Sequence, residues 1–308
     1  KNKYKLYFVH SIFSLPISQI LSLILSYLFI KDKYMGRILG ISLFNMIIGM
    51  IYGIFILLKG KFYLNKKYIM DSLKISVPMV PHLLSQIVLA SSDLLMVNRI
   101  CGSSDAGLYS MAYTISNILL TVLLQIFKPW STWFYRRLNN NEVDSIKFNS
   151  RMLMLLSAYF CVGLFTVAPD MIKIFLPASY ISSSYIVAPI CIGIFFQIMY
   201  TFFYDVEYFH KKNVQIAFFS VIIAIFNIVL NLIFISKYGY QAAAYTTMIS
   251  YLLLMLLHYL GMKKLEKRHI FDIKYLAKLS MCMIIIFSIN LYFNNYFIVR
   301  YLFLILFT

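Results

Sequence analysis

One device recurs along this chain: runs of about 20 mostly apolar residues separated by short polar interruptions, the length at which an α-helix crosses a hydrocarbon core of about 30 Å. Such runs lie near residues 8–30, 38–58, 77–99, 106–134, 152–168, 185–204, 214–236, 241–262, 275–293 and 296–308. Their length and composition predict helices, and no series of alternating ten-residue segments points to a transmembrane β-barrel. With 61% hydrophobic and 13% charged residues, the 308-residue chain carries more apolar surface than a soluble core could hide. The expected fold is all-α, a polytopic transmembrane helical bundle of about ten helices.

The net charge of +17 could suggest nucleic acid, but the basic residues sit in the short loops, where membrane topology explains them. Twenty of the 28 Lys and Arg residues fall in the N-terminal tail and in the connections after the second, fourth, sixth and eighth runs. Six fall in the other connections, and Lys128 and Arg300 lie inside apolar runs. That asymmetry predicts a cytoplasmic location for both ends and for the KKYIMDSLK, YRRLNNNEVDSIKFNSR, HKKN and KKLEKRHIFDIK loops. KDKYMGR, residues 31–37, is a local exception with three basic residues on the outer side. The chain begins with Lys1 and its last apolar run is short, so both ends are read as truncated.

The segment SVPMVPHLLSQIVLASSDLLMVNR, residues 76–99, is long enough to span, yet it carries polar groups. His82, Gln86 and Asp93 share one helical face, within about 40° of each other. In the next run Ser110, Thr114, Asn117, Thr121, Gln125, Lys128 and Thr132 recur every three or four residues and form a polar seam. Ser220, Asn227 and Asn231 make a shorter seam in the seventh run. Small polar residues often serve as interhelical contacts worth about 0.6–2 kcal/mol. Asp93 fits that role less well, because a carboxylate at a helix centre costs about 2.5–3.5 kcal/mol. It is expected to line a polar cavity, with a buried structural pair as the alternative.

Lys128 either faces that cavity or snorkels to the cytoplasmic interface. By depth, His82, Gln125 and Lys128 share the cytoplasmic half, where they would suit a diphosphate, and Asp93 lies in the outer half with Asn117. Pro78 and Pro81 mark either a helix start or a bend. Asp205 and Glu207, beside His210, Lys211 and Lys212, are expected to form a solvated cluster at a helix end, and His258 to be packed or interfacial. Cys101, Cys161, Cys191 and Cys282 are scattered singly, so neither a disulfide framework nor a metal site is expected. No catalytic motif appears, and the chain is not expected to be an enzyme.

The block PMVPHLLSQIVLASSDLLMVNRICGSSDAGLYSMAYTISNILLTVLLQIFKPWSTWFYRRL, residues 78–138, resembles the start of the second half of Wzx-type polysaccharide flippases. FNIVLNLIFISKYGYQAAAYTTMISY, residues 226–251, is similar to a later segment of that family, with Gln241 where the family pattern has a glycine. These flippases belong to the multidrug, oligosaccharidyl-lipid and polysaccharide exporter superfamily. The resemblance implies a two-lobed, MATE-like transporter fold with an incomplete N-terminal lobe, the chain supplying the family's helices five to fourteen. Residues 1–75 would end the first lobe, 76–262 form the six-helix second lobe, and 263–308 an accessory terminal pair.

The implied function is translocation of undecaprenyl-diphosphate-linked oligosaccharide repeat units across the bacterial cytoplasmic (inner) membrane for O-antigen, lipopolysaccharide or capsule biosynthesis. Implied partners are the lipid-linked substrate, membrane lipids, a glycan polymerase and a chain-length regulator, with no nucleic acid. No cofactor is expected beyond a coupling H+ or Na+. A multidrug and toxin extrusion antiporter of the same fold is the first alternative, and a membrane glycan polymerase the second.

Overall fold

The computed structural model describes residues 3–29, 33–60, 65–293, 296–298 and 300–302, with residues 3–15 and 33 described in backbone alone. Most of the expected tenth run, 296–308, lies outside the described residues. Among the described residues regular structure is entirely helical: α1 (Lys3–Leu28), α2 (Lys33–Gly60), α3 (Lys66–Ser76), α4 (Met79–Cys101), α5 (Ser103–Phe127) and α6 (Trp130–Asn139). There follow α7 (Val143–Phe175), a 3₁₀ turn at Ala178–Ser183, α8 (Ser184–Phe209), α9 (Asn213–Tyr238), α10 (Gln241–Leu265) and α11 (Ile273–Tyr292). Eight helical stretches, from Tyr34–Gly60 to Ile273–Tyr292, are long and apolar enough to cross a membrane, and the shorter apolar helix Pro16–Leu28 precedes them. This is the architecture of a multi-pass membrane protein.

The expected loops are more helical than their polarity suggests. KKYIMDSLK falls within α3, which buries no residue. The expected span 106–134 is broken at Lys128–Pro129, where α5 gives way to α6 and the proline contributes no backbone donor. Helix α7 has 33 residues, about 50 Å of helix, and so extends well beyond the expected 152–168. The turn before it places Asn141 in the left-handed region at φ 59°. There the Asn140 amide and the Arg137 guanidinium hold the Glu142 carboxyl below its usual value.

The chain divides into two compact units, Lys1–Met70 and Asp71–Thr308. In the first, α1 packs on α2. Gly36 and Gly40, one helical turn apart, allow the close approach: a Cβ on either would run into the α1 backbone at Leu25–Ser26 or Leu21–Ser22. Small residues spaced by four are a common solution where no hydrophobic force drives helices together in lipid.

In the second unit α8 is the central element. It buries residues on every side, as a helix apolar all round must, and packs against α10, α7, α5 and α11. Helices α9 and α4 pair with each other, α9 also against α10 and α4 also against α5. Gly261 of α10 faces the end of α8. A Cβ there would collide with the side chains of Glu207 and Gln215 and come within 2.9 Å of Phe219.

Gly261→Val should therefore lower stability by about 1–3 kcal/mol, the usual penalty of overpacking a filled core. Gly163→Val meets nothing within 4 Å of its Cβ and should leave the midpoint of thermal unfolding in detergent nearly unchanged.

Candidate functional site

Helix α4 begins between its two prolines. Pro78 caps it with helical backbone angles, and Pro81 sits in the first turn, where a missing N–H leaves no ladder bond broken. The two prolines lie where α3 passes into α4, within the helical stretch Lys66–Cys101. From there the stripe of His82, Ser85, Leu89, Asp93 and Val97 is buried, one residue every three or four. It faces the partners α4 packs on, chiefly α9.

Asp93 is 1% exposed and has no cation within ion-pair distance among the described residues. Its compensation comes from neutral donors on three other helices. Tyr109 of α5 donates to Oδ2 at 2.9 Å, Thr247 of α10 to Oδ2 at 2.5 Å, and Asn231 of α9 to Oδ1 at 2.6 Å. A second layer holds these donors. Thr246 donates to the Asn231 carbonyl oxygen, Asn231 also donates to Asn227 at 3.2 Å, and Asn227 donates to Thr247 at 3.1 Å and Ser250 at 3.2 Å. Asn227 and Asn231 are both fully buried. Asp93, Asn227 and Asn231, predicted on two separate segments, are thus one network.

Further down α4, His82 shares a 2.7 Å hydrogen bond with Ser220 of α9 and stacks on Tyr204 of α8 at 5.3 Å. Gln86 is half-buried between the two groups, and its amide nitrogen has no hydrogen-bond partner. The polar seam of α5 is not directly opposite. Thr121, Gln125 and Lys128 are exposed, on a different face from the buried residues of α5. Asn117 lies between: it lines a crevice of about 20 Å³ with Tyr109, Tyr113, Gln197, Thr247 and Tyr251. Two of the three donors to Asp93, Tyr109 and Thr247, are among those residues, so the crevice, with room for about one water-sized species, reaches the carboxylate's immediate partners.

The helix-end acids differ from the sequence expectation. Asp205 and Glu207 are 3% and 0% exposed, not solvated, because α8 runs on to Phe209 and its last turns stay inside the bundle. Ser131 and Tyr135 of α6 donate to Asp205 at 2.9–3.1 Å. Glu207 shares a 2.5 Å hydrogen bond with His258 of α10 and accepts another at 2.8 Å from Gln215 of α9. His258 is fully buried, with its rings of contact at Tyr200, Tyr204 and Phe219. Nothing in the local sequence marks the pair, whose members are 51 residues apart. Arg300, expected inside an apolar run, is buried and donates to Asp170 at 2.8–2.9 Å.

Among the described residues no group of three His, Cys, Asp or Glu side chains is placed to hold a metal. The Asp93 network instead comprises one carboxylate, two amides and four hydroxyls, and the groups that meet the carboxylate directly, the Tyr109 and Thr247 hydroxyls and the Asn231 amide nitrogen, are all donors. Tyr109→Phe removes one donor from the buried carboxylate and should cost about 1–3 kcal/mol in detergent unfolding. His258→Leu leaves Glu207 without its closest partner and should cost about 3–5 kcal/mol, and adding Glu207→Gln should recover most of that loss.

Residues 2–132 match the family described as "Polysaccharide biosynthesis protein" (Polysacc_synt). No curated protein matches the chain. Among solved structures, the chain is similar to "Lipid II flippase MurJ, inward closed conformation", with a TM-score of 0.55 and 21% identity over 96% of this chain. The chain spans 64% of the length of that structure. At this identity the likeness is one of fold, and it extends over nearly the whole chain.

Proposed function

We propose that the chain is part of a flippase that carries an undecaprenyl-diphosphate-linked oligosaccharide from the cytoplasmic to the outer leaflet of a bacterial inner membrane, for surface polysaccharide synthesis. The observation that carries the reading is Asp93, a carboxylate inside a flippase-like helical fold whose partners are all neutral. A purely structural ion pair would bring a cation of its own. This site accommodates one from outside, either H+ or Na+, and binding would relieve the charge while leaving the second layer of amides and hydroxyls in place. The two-lobed architecture that the sequence motifs imply, with residues 76–262 as the second lobe, would convert that binding into alternating access.

The substrate's diphosphate would meet Lys128 and the basic cytoplasmic side, and its sugars the exposed seam of Thr121 and Gln125 on α5. The positive charge of the connections supports a cytoplasmic location for both ends of the chain. A glycan polymerase and a chain-length regulator are the proposed downstream partners. Export of small cations by an antiporter of the same fold is the second reading. It is favoured by the buried Asp205 and Glu207, which add to the carboxylates inside the bundle.

The test is complementation of a flippase-deficient strain that makes matching repeat units. Expression of the full-length protein should restore surface glycan. Asp93→Asn should lower export about 5- to 150-fold at an unchanged level of folded protein, the range of a coupling free energy of 1–3 kcal/mol. No restoration of glycan, together with new resistance to cationic drugs, would replace the flippase by the antiporter.

A further inference from the structure

A cavity of about 710 Å³ lies between the start of α7, the end of α10, the linker 266–272 and the start of α11. Its size is in the usual range for small-ligand sites, about 300–1,000 Å³. It is separate from the Asp93 network and shares no residue with it. Ile270 and Phe271 in its wall are buried, and Phe271 packs against Phe134, Phe202 and Phe203 at 5.7–6.0 Å, so the linker is anchored to the core.

The charges around it are unbalanced. Six Lys and Arg side chains line the cavity against two carboxylates, Glu266 and Asp272. Both carboxylates are already engaged. Arg268 donates to Glu266 through Nε at 2.8 Å and Nη2 at 2.6 Å. The amide of Tyr275 and the guanidinium of Arg151 donate to Asp272. These partners, Arg268 for Glu266 and first the Tyr275 amide for Asp272, hold both carboxyls below their usual values, so they stay ionised and occupied at neutral pH.

The remaining cations are Lys147 of α7, Lys263 of α10, Lys267 of the linker and Lys274 of α11. None has a carboxylate within ion-pair distance among the described residues. Arg151 adds a buried Nε–H with no acceptor. Membrane topology requires basic residues near helix ends, but it does not require four elements to direct them around one concavity. Like charges gathered this way repel, and an anion between them removes the repulsion.

We propose that this cavity binds a phosphate-bearing anion, and that it does so at the membrane boundary, since it joins the ends of two candidate spans. A phosphate group presents several strong acceptors to lysines on different elements. Occupancy would tie α11 and the linker to α7 and α10. The assignment does not rest on the flippase reading. The source of the phosphate is either a lipid headgroup from the adjacent leaflet or a soluble anion.

The experiment uses the full chain in nanodiscs of phosphatidylcholine with or without phosphatidylglycerol, and native mass spectrometry of the lipid retained after release. A second arm titrates inorganic phosphate and pyrophosphate into phosphatidylcholine discs and follows thermal unfolding. Retention of phosphatidylglycerol over phosphatidylcholine identifies a headgroup site, and stabilisation by the soluble anions alone identifies a soluble ligand. In either case Lys263→Gln/Lys267→Gln/Lys274→Gln should weaken binding about tenfold or more. The triple Lys→Arg variant at the same positions should keep it. Equal weakening by Arg136→Gln/Lys211→Gln/Lys212→Gln, which removes the same charge outside the cavity, would overturn the proposal, as would the absence of binding in both arms.

Discussion

A carboxylate without a counter-cation inside a bundle of bilayer-length helices must draw all its compensation from neutral donors, and every helix that supplies one is held in register by it. Asp93 imposes that condition on α4, α5, α9 and α10 together, through Tyr109, Asn231 and Thr247. Around them Asn227, Thr246 and Ser250 spend their own hydrogen-bonding capacity within the network or on backbone carbonyls. Such a network is stiff while all members are satisfied, and sensitive to any proton or ion that changes the charge at its centre.

The same rule explains the end of α8. A helix buried on all sides cannot expose its polar residues when it reaches the membrane boundary, so Asp205 and Glu207 take partners from α6, α9 and α10. Gly261 makes the arrangement sterically feasible, because the Glu207 and Gln215 side chains occupy the space a larger residue would fill. Tyr204 then lies between the two polar centres, stacked on His82 on one side and against His258 on the other. His82, Tyr204, His258 and Glu207 thus form a chain of ring and hydrogen-bond contacts through an otherwise largely apolar interior.

Charge outside the spans obeys a different economy. Water and lipid headgroups screen it, so loops can gather lysines without internal partners. At the α10–α11 linker the anchoring of Phe271 turns such a loop into a shaped surface, which distinguishes it from the exposed basic residues elsewhere.

How much was legible beforehand depended on the range of the interaction. Helical class, the run of spans and the shared face of His82, Gln86 and Asp93 follow from local periodicity, because residues spaced by three or four must share a face whatever they meet. So does the pairing of Asn227 with Asn231 on one face of α9. The identity of the partners does not. The local sequence places Asp205 and Glu207 beside Lys211 and Lys212 and therefore suggests solvent. Only the packing of α8 at the centre of the unit, and of His258 against it from 51 residues away, buries them. The sequence alone established that this chain lives in a membrane as helices carrying polar stripes. Tertiary packing alone decided which stripes close into networks and which stay exposed, because that choice is set by which helices become neighbours and not by the spacing within any one of them.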